Sequence, residues 1–306
     1  MTRTYRVSHR TTYRYSATMS DGYSVACLMP RPTPWQVVVD STVGLEPGAS
    51  ERDSYLDAFG NMVHQFGLHE PHRQMVVDSV SVVEVAERPT PVDDTAWEEV
   101  VNLTVAASGD LAIDVAMFRS SSNLIDVDLM RPSFRELTDL MFTSRRPIID
   151  AVRDLCDTIY GQFEFDPSFS TLATPLVDVV RERRGVCQDF AHLAVGCLRS
   201  LGLAARYVSG YIETIPPVGQ PRLVGADASH AWCSVWTPHA GWVDFDPTNG
   251  HLPVNDHVTV GWGRDYSDVT PVRGVMIGPA TTQKLDVSVD VARLDSPLTP
   301  PAWPIS

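Results

Sequence analysis

The sequence predicts an α+β chain: an N-terminal antiparallel β-sandwich or barrel-like domain, then helices packed on a second antiparallel sheet. Three observations carry this: a long period-2 alternation at the N-terminus, apolar residues at intervals of three or four from Arg131 onward, and a return to strand patterning after Leu203. At 306 residues the chain can bury two cores. With 43% hydrophobic and 20% charged residues it is neither disordered, collagenous nor a coiled coil.

Tyr5, Val7, His9, Thr11, Tyr13 and Tyr15 alternate with Arg6, Ser8, Arg10, Thr12 and Arg14, the pattern of a half-buried strand. Further strands are expected over 23–29, 36–45, 62–68 and 75–85, with Asp57-Ala58-Phe59-Gly60-Asn61 supplying hairpin chemistry. Residues 88–94 (RPTPVDD) read as a linker, because prolines and acids interrupt the apolar period. A helix over 111–118 is one reading of the next stretch, broken by Ser120, Ser121 and Ser122. Pro147 then opens an amphipathic helix through Ile148, Val152, Leu155, Ile159 and Phe163. Thr174 and Pro175 read as cap and first turn of a short helix through Leu176, Val179 and Val180, stopped by Gly185. A third helix is expected from about Cys187 to Ser200, burying Phe190, Ala194, Cys197, Leu198 and Leu201 and ending at Gly202.

Strands follow over 204–212, 230–237 and 241–246, the last two joined by Pro238-His239-Ala240-Gly241. Leu285, Val287, Val289 and Val291 alternate again, as a strand returning to the N-terminal sheet would. Beyond Ser296, four prolines in ten residues predict an extended, loosely held tail. The expected organisation is therefore an N-terminal β-domain (1–88), a helical connection (89–130), a core (131–262) and a C-terminal strand with its tail (263–306).

The net charge of −14 argues against nucleic acid or an anionic membrane surface as partner. The N-terminus has neither a signal-peptide pattern nor an apolar run long enough to span a bilayer. Five cysteines, none in a C-x-x-C pair, argue against a disulfide framework or compact zinc site, so a reducing cytoplasm is the expected compartment. His64, His69 and His72 lack a cysteine or carboxylate cluster at ligand spacing, and neither a phosphate loop nor a dinucleotide fingerprint is present; no cofactor is expected. Lys284 is the only lysine, so the chain offers almost no amine acceptors of its own.

Cys187 opens a helix, so free backbone N–H groups and the positive dipole end face its sulfur, an environment that favours a thiolate. His230 begins one strand and Asp246 ends the next. If the intervening loop has an odd number of residues, His230, Trp232, Ser234, Asp244 and Asp246 share a face, with Asp246 in diagonal reach of His230; an even loop would separate them. Each residue has a purely structural reading by itself. Together they fit the nucleophile, base and orienter logic of acyl transfer. His192, five residues beyond Cys187, points about 140° away on the helix and reads as a packing residue.

The blocks Gly185-Val186-Cys187-Gln188-Asp189-Phe190-Ala191-His192, Ser229-His230-Ala231-Trp232, and Gly241-Trp242 with Asp246-Pro247-Thr248 resemble the three signature blocks of the bacterial transglutaminase-like superfamily. The N-terminal alternation with its Asp57 to Asn61 turn resembles the β-domain that precedes the core in one bacterial branch. The resemblance implies a papain-like α+β core with Cys187 as nucleophile, His230 as general base and acid, and Asp246 as orienter. Members cross-link glutamine to amines, cleave peptide or amide bonds, or deglycosylate peptides. One departure concerns the oxyanion hole: animal transglutaminases use a tryptophan upstream of the cysteine, and here none lies between Trp97 and Trp232.

The expected function is a cysteine-dependent hydrolase or acyltransferase acting on amide bonds of a peptide or protein substrate, with Gln188 and Trp232 as candidate substrate-binding residues. Hydrolysis is favoured over glutamine transamidation because water is present at about 55 M and only a shielded amine site would outcompete it. The alternatives are a catalytically silent binding module and acetyl transfer from a thioester cofactor.

Overall fold

The structure is a computed structural model that describes residues 1–171, 174–213 and 229–294. Side chains that alternate across a pleat make the N-terminal third a sheet-forming segment. It folds as β1 (Arg3–Met19), β2 (Asp21–Ala26), β3 (Gln36–Glu46), β4 (Glu51–Leu56), β5 (Met62–Leu68) and β6 (His72–Val85). In β1 Tyr5, Val7, His9 and Thr11 are buried while Arg6 and Arg10 are exposed, as the alternation requires.

Four helices follow: α1 (Trp97–Ala106), α2 (Gly109–Ala116), α3 (Val127–Thr138) and α4 (Ile148–Gln162). The core continues through β7 (Glu164–Phe165), α5 (Leu176–Glu182), β8 (Arg184–Gly185) and α6 (Cys187–Ser200). The chain then runs through β9 (Ala205–Ile212), β10 (Ser229–Thr237), β11 (Gly241–Phe245) and β12 (His257–Gly263), and ends in β13 (Val272–Ile277) and β14 (Gln283–Leu294). The tail expected beyond Ser296 lies outside the described residues.

Several details differ from the sequence reading. Pro175, not Thr174, is the N-cap of α5, and the helix stops at Arg183 in the left-handed region (φ 52°), leaving Gly185 to pair within β8. Helix α1 escaped the pattern because only Val100 and Thr104 of its residues are buried, too few to mark a stripe.

Among the described residues the strands form three antiparallel four-stranded sheets, ordered β14-β1-β6-β3, β13-β2-β5-β4 and β11-β10-β9-β12, and β7 pairs in parallel with β8. The first two build the N-terminal domain, and each takes one strand from the end of the chain: β14 pairs along β1, and β13 pairs with β2. Strand β4 is an edge with every residue exposed, which removes the alternation that would have revealed it.

The third sheet carries α6 on one face. This helix is buried on nearly all sides, because α3, α4 and α5 pack against it opposite β9 and β10. Its Gly196 admits the Phe134 ring, which would lie 2.4 Å from a Cβ there. Gly202, at φ 88°, ends the helix, and the Leu203 N–H closes on the Leu198 carbonyl at 3.1 Å.

The N-terminal domain covers the open edge of this sheet with side-chain amides. On β12, the Trp262 N–H donates to Asn61 Oδ1 (3.0 Å) and its carbonyl accepts from Asn61 Nδ2 (2.8 Å). Gln36 repeats the arrangement at Thr259, accepting from the N–H at 2.8 Å and donating to the carbonyl at 2.7 Å. Two amides thus stand in for a missing strand and satisfy an edge that would otherwise be open to pairing. Tyr211, Val258 and Val260 of β9 and β12 pack with Tyr5, Val7, Val83 and Val291 of the first sheet, a hydrophobic seam that clamps the two parts together.

Candidate active site

Local chemistry starts the helix that carries Cys187. The Asp189 carboxylate turns back to accept from the Val186 N–H at 2.9 Å, and Gly185 leaves room for it, since a Cβ there would stand 2.9 Å from Asp189 Oδ2. The Asp189 carboxyl is driven up by burial. Cys187 sits at the first position of α6 and is the only half-buried cysteine, the other four being buried. Burial pushes the Cys27 thiol up to about 12 and raises Cys197 as well.

The β10–β11 hairpin resolves the conditional register. Thr237 opposes Gly241 and Cys233 opposes Phe245, so the loop has three residues, an odd number. Gly241, at φ 68°, makes the turn. Asp246 therefore falls diagonal to His230 on the shared face, and His230 Nε2 donates to Asp246 Oδ2 at 2.7 Å. The thiol of Cys187 lies against the start of β10, 4.0 Å from the Ser229 carbonyl, close enough to His230 to favour its charged form. Burial opposes the imidazolium, but the hydrogen bond to Asp246 and the charges of Asp246 and Cys187 outweigh it and raise His230 to about 10. Asp246, fully buried, is held well below the carboxylate range: burial acts against its charge, and His230 and His257 more than compensate.

Two residues that sequence reasoning missed complete the group. His257, at the first position of β12, donates from Nε2 to the same Asp246 Oδ2 at 2.9 Å. Its Nδ1 meets Asp256 Oδ1 at 2.8 Å, and Asp256 Oδ2 lies 3.4 Å from His251 Nε2 near the surface. Asn249 donates through Nδ2 to Asp246 Oδ2 at 2.8 Å, while the Thr248 N–H reaches Oδ1 at 3.0 Å. A chain of alternating imidazoles and carboxylates thus runs from Cys187 to His251. The histidine-aspartate spacing His251…Asp256-His257 was the available signal, unread because β12 gave no strand pattern. His230, Asp246 and His257, and likewise His251, Asp256 and His257, bring metal-capable atoms within 4.8 Å of one another. The ring and carboxylate contacts above occupy those atoms with hydrogen bonds, which a metal would have to displace.

Trp232 requires a correction. It was a candidate for substrate contact, but it is fully buried: its ring stacks beside His230 at 6.0 Å, meets His257 edge-on at 5.0 Å, and its Nε1 donates to Asp244 at 3.1 Å. Its room comes from Gly210 on β9, where a Cβ would stand 2.7 Å from the indole and 2.1 Å from the Val258 carbonyl. Trp232 shapes the wall behind His230. Gln188 is half-buried and lines a cleft of about 270 Å³ with Leu124, Leu129, Pro175 and His192. His192 is buried, held down to about 4 by burial, and accepts from the Tyr266 N–H at 3.1 Å, which fits a packing role. Among the described residues no helix is long and apolar enough to cross a membrane.

Comparison with known proteins agrees with this architecture. Residues 5–84 match the bacterial transglutaminase-like N-terminal region, and residues 135–247 match the transglutaminase-like superfamily. An uncharacterized Mycobacterium tuberculosis protein is 38% identical over 299 residues, covering 95% of this chain and 93% of its own. A Pseudomonas aeruginosa protein-glutamine gamma-glutamyltransferase is 39% identical over 102 residues, 31% of this chain and 15% of that protein. A Cytophaga hutchinsonii structure described as "a putative cysteine protease" superposes with a TM-score of 0.75 at 20% identity, covering 98% of this chain and 93% of that one, a likeness of fold. The chain belongs to the transglutaminase-like superfamily of cysteine-dependent enzymes, with the bacterial N-terminal region ahead of its core.

Proposed function

We propose that the protein hydrolyses amide bonds of peptides or proteins through Cys187, His230 and Asp246. The observation that carries this is the bonding of His230: Nε2 is committed to a buried carboxylate, which fixes the ring, and Cys187 at the start of α6 favours its charged form. The thiolate attacks the substrate carbonyl, the carbonyl electrons collapse back, and His230 protonates the departing amine. A thioester forms on Cys187. Water, deprotonated by His230, then attacks it and releases the acid and the free thiol. The Cys187 backbone N–H at the helix start is the first oxyanion donor. Asp246 acts through His230, and His257 and Asn249 act through Asp246.

Water is the favoured acceptor because it is present at about 55 M, which only a shielded amine site would outcompete. Glutamine transamidation is the second reading, favoured by the partial match to a gamma-glutamyltransferase. A cytoplasmic setting belongs to the same proposal, on the strength of five cysteines all present as free thiols.

The test begins without a substrate. Iodoacetamide should label Cys187 selectively and already at about pH 6, and His230→Ala should abolish that low-pH reactivity. Labelling that rises only near pH 8.5 in both proteins would remove the catalytic reading and leave a binding module. Peptide libraries then separate the acceptors: new amino termini report peptidase action, ammonia without cleavage reports deamidation, and ammonia with incorporated amine reports transamidation.

A further inference from the structure

A second concave site lies where the linker crosses the central sheet. It encloses about 720 Å³, the size of a pocket for a drug-sized molecule, and neither Cys187 nor His230 lines it. Its apolar walls are Trp35, Pro89, Pro91, Trp242, Pro253 and Trp262.

Arg206 projects into this cavity from β9. Its guanidinium lies 3.6 Å from the centroid of the Trp262 ring and 4.3 Å from that of Trp242. Stacking of this kind satisfies the flat faces of the ion and leaves its N–H donors pointing outward in the plane. Arg206 is 7% exposed, yet among the described residues it makes no hydrogen bond or salt bridge, and its Nε is wholly without a partner.

The fold itself supplies a contrast. Arg199, also buried, spends its donors on the carbonyls of Phe118, Ser120, Ala205 and Arg264, as a structural arginine does. Arg31, over the same Trp262 ring, donates to Phe59 O and Asn61 Oδ1. Among the described residues, Arg206 is the arginine presented unpaired to this cavity.

The surrounding charges select the ligand. Arg88 is bonded to Asp244, and Asp114 accepts from Trp242 Nε1 at 2.8 Å; Arg153 stands 3.6 Å from Asp150 outside the cavity. With Arg88 bonded to Asp244 and Arg153 beside Asp150, Arg206 is the lining arginine left for a ligand, and the carboxylates of Asp114 and Asp244 on the same walls disfavour a dianion such as phosphate. The planar fork of a guanidinium matches a carboxylate.

We propose that this cavity is a second ligand site, taking a carboxylate borne on an apolar body of aromatic size, with Arg206 as the anion-binding group and the tryptophan and proline walls holding the body. The site is independent of the chemistry at Cys187. The carboxylate is that of a free organic acid or of a peptide C-terminus.

Isothermal titration of the full-length protein tests this with 4-phenylbutyrate and its uncharged counterpart 4-phenylbutan-1-ol, neither of which has an amide bond to cleave. The acid should bind at least about tenfold more tightly than the alcohol, Arg206→Met should erase the difference, and Arg206→Lys should keep part of it. Cys187→Ala should leave both affinities unchanged, and Trp35→Ala, at the half-exposed rim, should weaken both ligands alike. A preference for N-acetylphenylalanine over 4-phenylbutyrate supports the site and identifies a peptide terminus as the source; the reverse preference supports it and identifies a free acid. Equal affinity for acid and alcohol, no binding of either, an acid preference that survives Arg206→Met, a dependence on Cys187, or equally tight binding of bare sulfate overturns the proposal. The acid–alcohol comparison needs no variant, so a poorly folding Arg206→Met leaves the test intact.

Discussion

One face of the central sheet carries two clusters of buried ions that solve the same problem in opposite ways. Both oxygens of Asp246 have partners: three side chains converge on one and two backbone N–H groups take the other. Around Arg206 two indoles cover the ion's faces, and its donors have no protein partner among the described residues. Asp244 touches both, accepting from Arg88 on the cavity side and from Trp232, which stacks beside His230. A completed network holds a reactive group in one geometry, whereas an incomplete one is a vacancy for something else to fill.

The largest effect expected from breaking this comparison is at Asp246. Asp246→Ala leaves His230, His257 and Asn249 without their common acceptor and should cost about 3–5 kcal/mol in urea unfolding. It should also end selective alkylation of Cys187. Next comes His257→Ala, which keeps the His230–Asp246 pair but opens the chain toward Asp256; a loss of about 1–3 kcal/mol is expected. If His257 positions Asp246, the same change lowers the His230 titration midpoint from its value of about 10, read by NMR of the ring protons. An unmoved midpoint would reduce His257 to a packing residue.

Proton linkage distinguishes two kinds of buried histidine. His9 and His192 are held neutral, lowered by burial from 6.5 to about 4, so the unfolded chain binds more protons than the folded one between those values. Stability should therefore fall as pH drops from 6.5 toward 4. His230 has the opposite sign: its raised midpoint contributes stability that is complete below pH 6.5 and lost as pH rises through about 10. Urea midpoints across this range should trace a dome, and His230→Ala should remove its alkaline limb. The smallest effect is expected at Arg206→Met. Replacing an unpaired buried cation with an apolar chain trades the indole contacts for relief from desolvation, and the net change should stay within about 1 kcal/mol by the same urea measurement. A loss comparable to Asp246→Ala would show that Arg206 is structural after all.

Much of this was legible because local patterns and tertiary placement coincided. The Tyr5-to-Tyr15 alternation faces inward as read, and Cys187 opens α6 with Asp189 folded back onto its N-cap. The hairpin parity argument needed only the loop length, which is three residues. What escaped had no local period. The all-exposed edge strand β4 shows no alternation, and β12 is buried on both faces and interrupted by a bulge between Thr259 and Gly261. His257 was lost with β12.

By itself the sequence determined the two-part α+β plan, the nucleophile at a helix start and the histidine and aspartate on consecutive strands, because capping, alternation and turn length act over a few residues. Only the tertiary structure decided that β13 joins the second N-terminal sheet, that Asn61 and Gln36 seal the edge of β12, and that Trp232 stands behind the site rather than in it. It also decided that His257 joins Asp246 and that Arg206 is left unpaired between two indoles. These pairings link residues far apart in the chain, and burial and hydrogen-bond completion are properties of what surrounds a side chain in space, which no local period encodes.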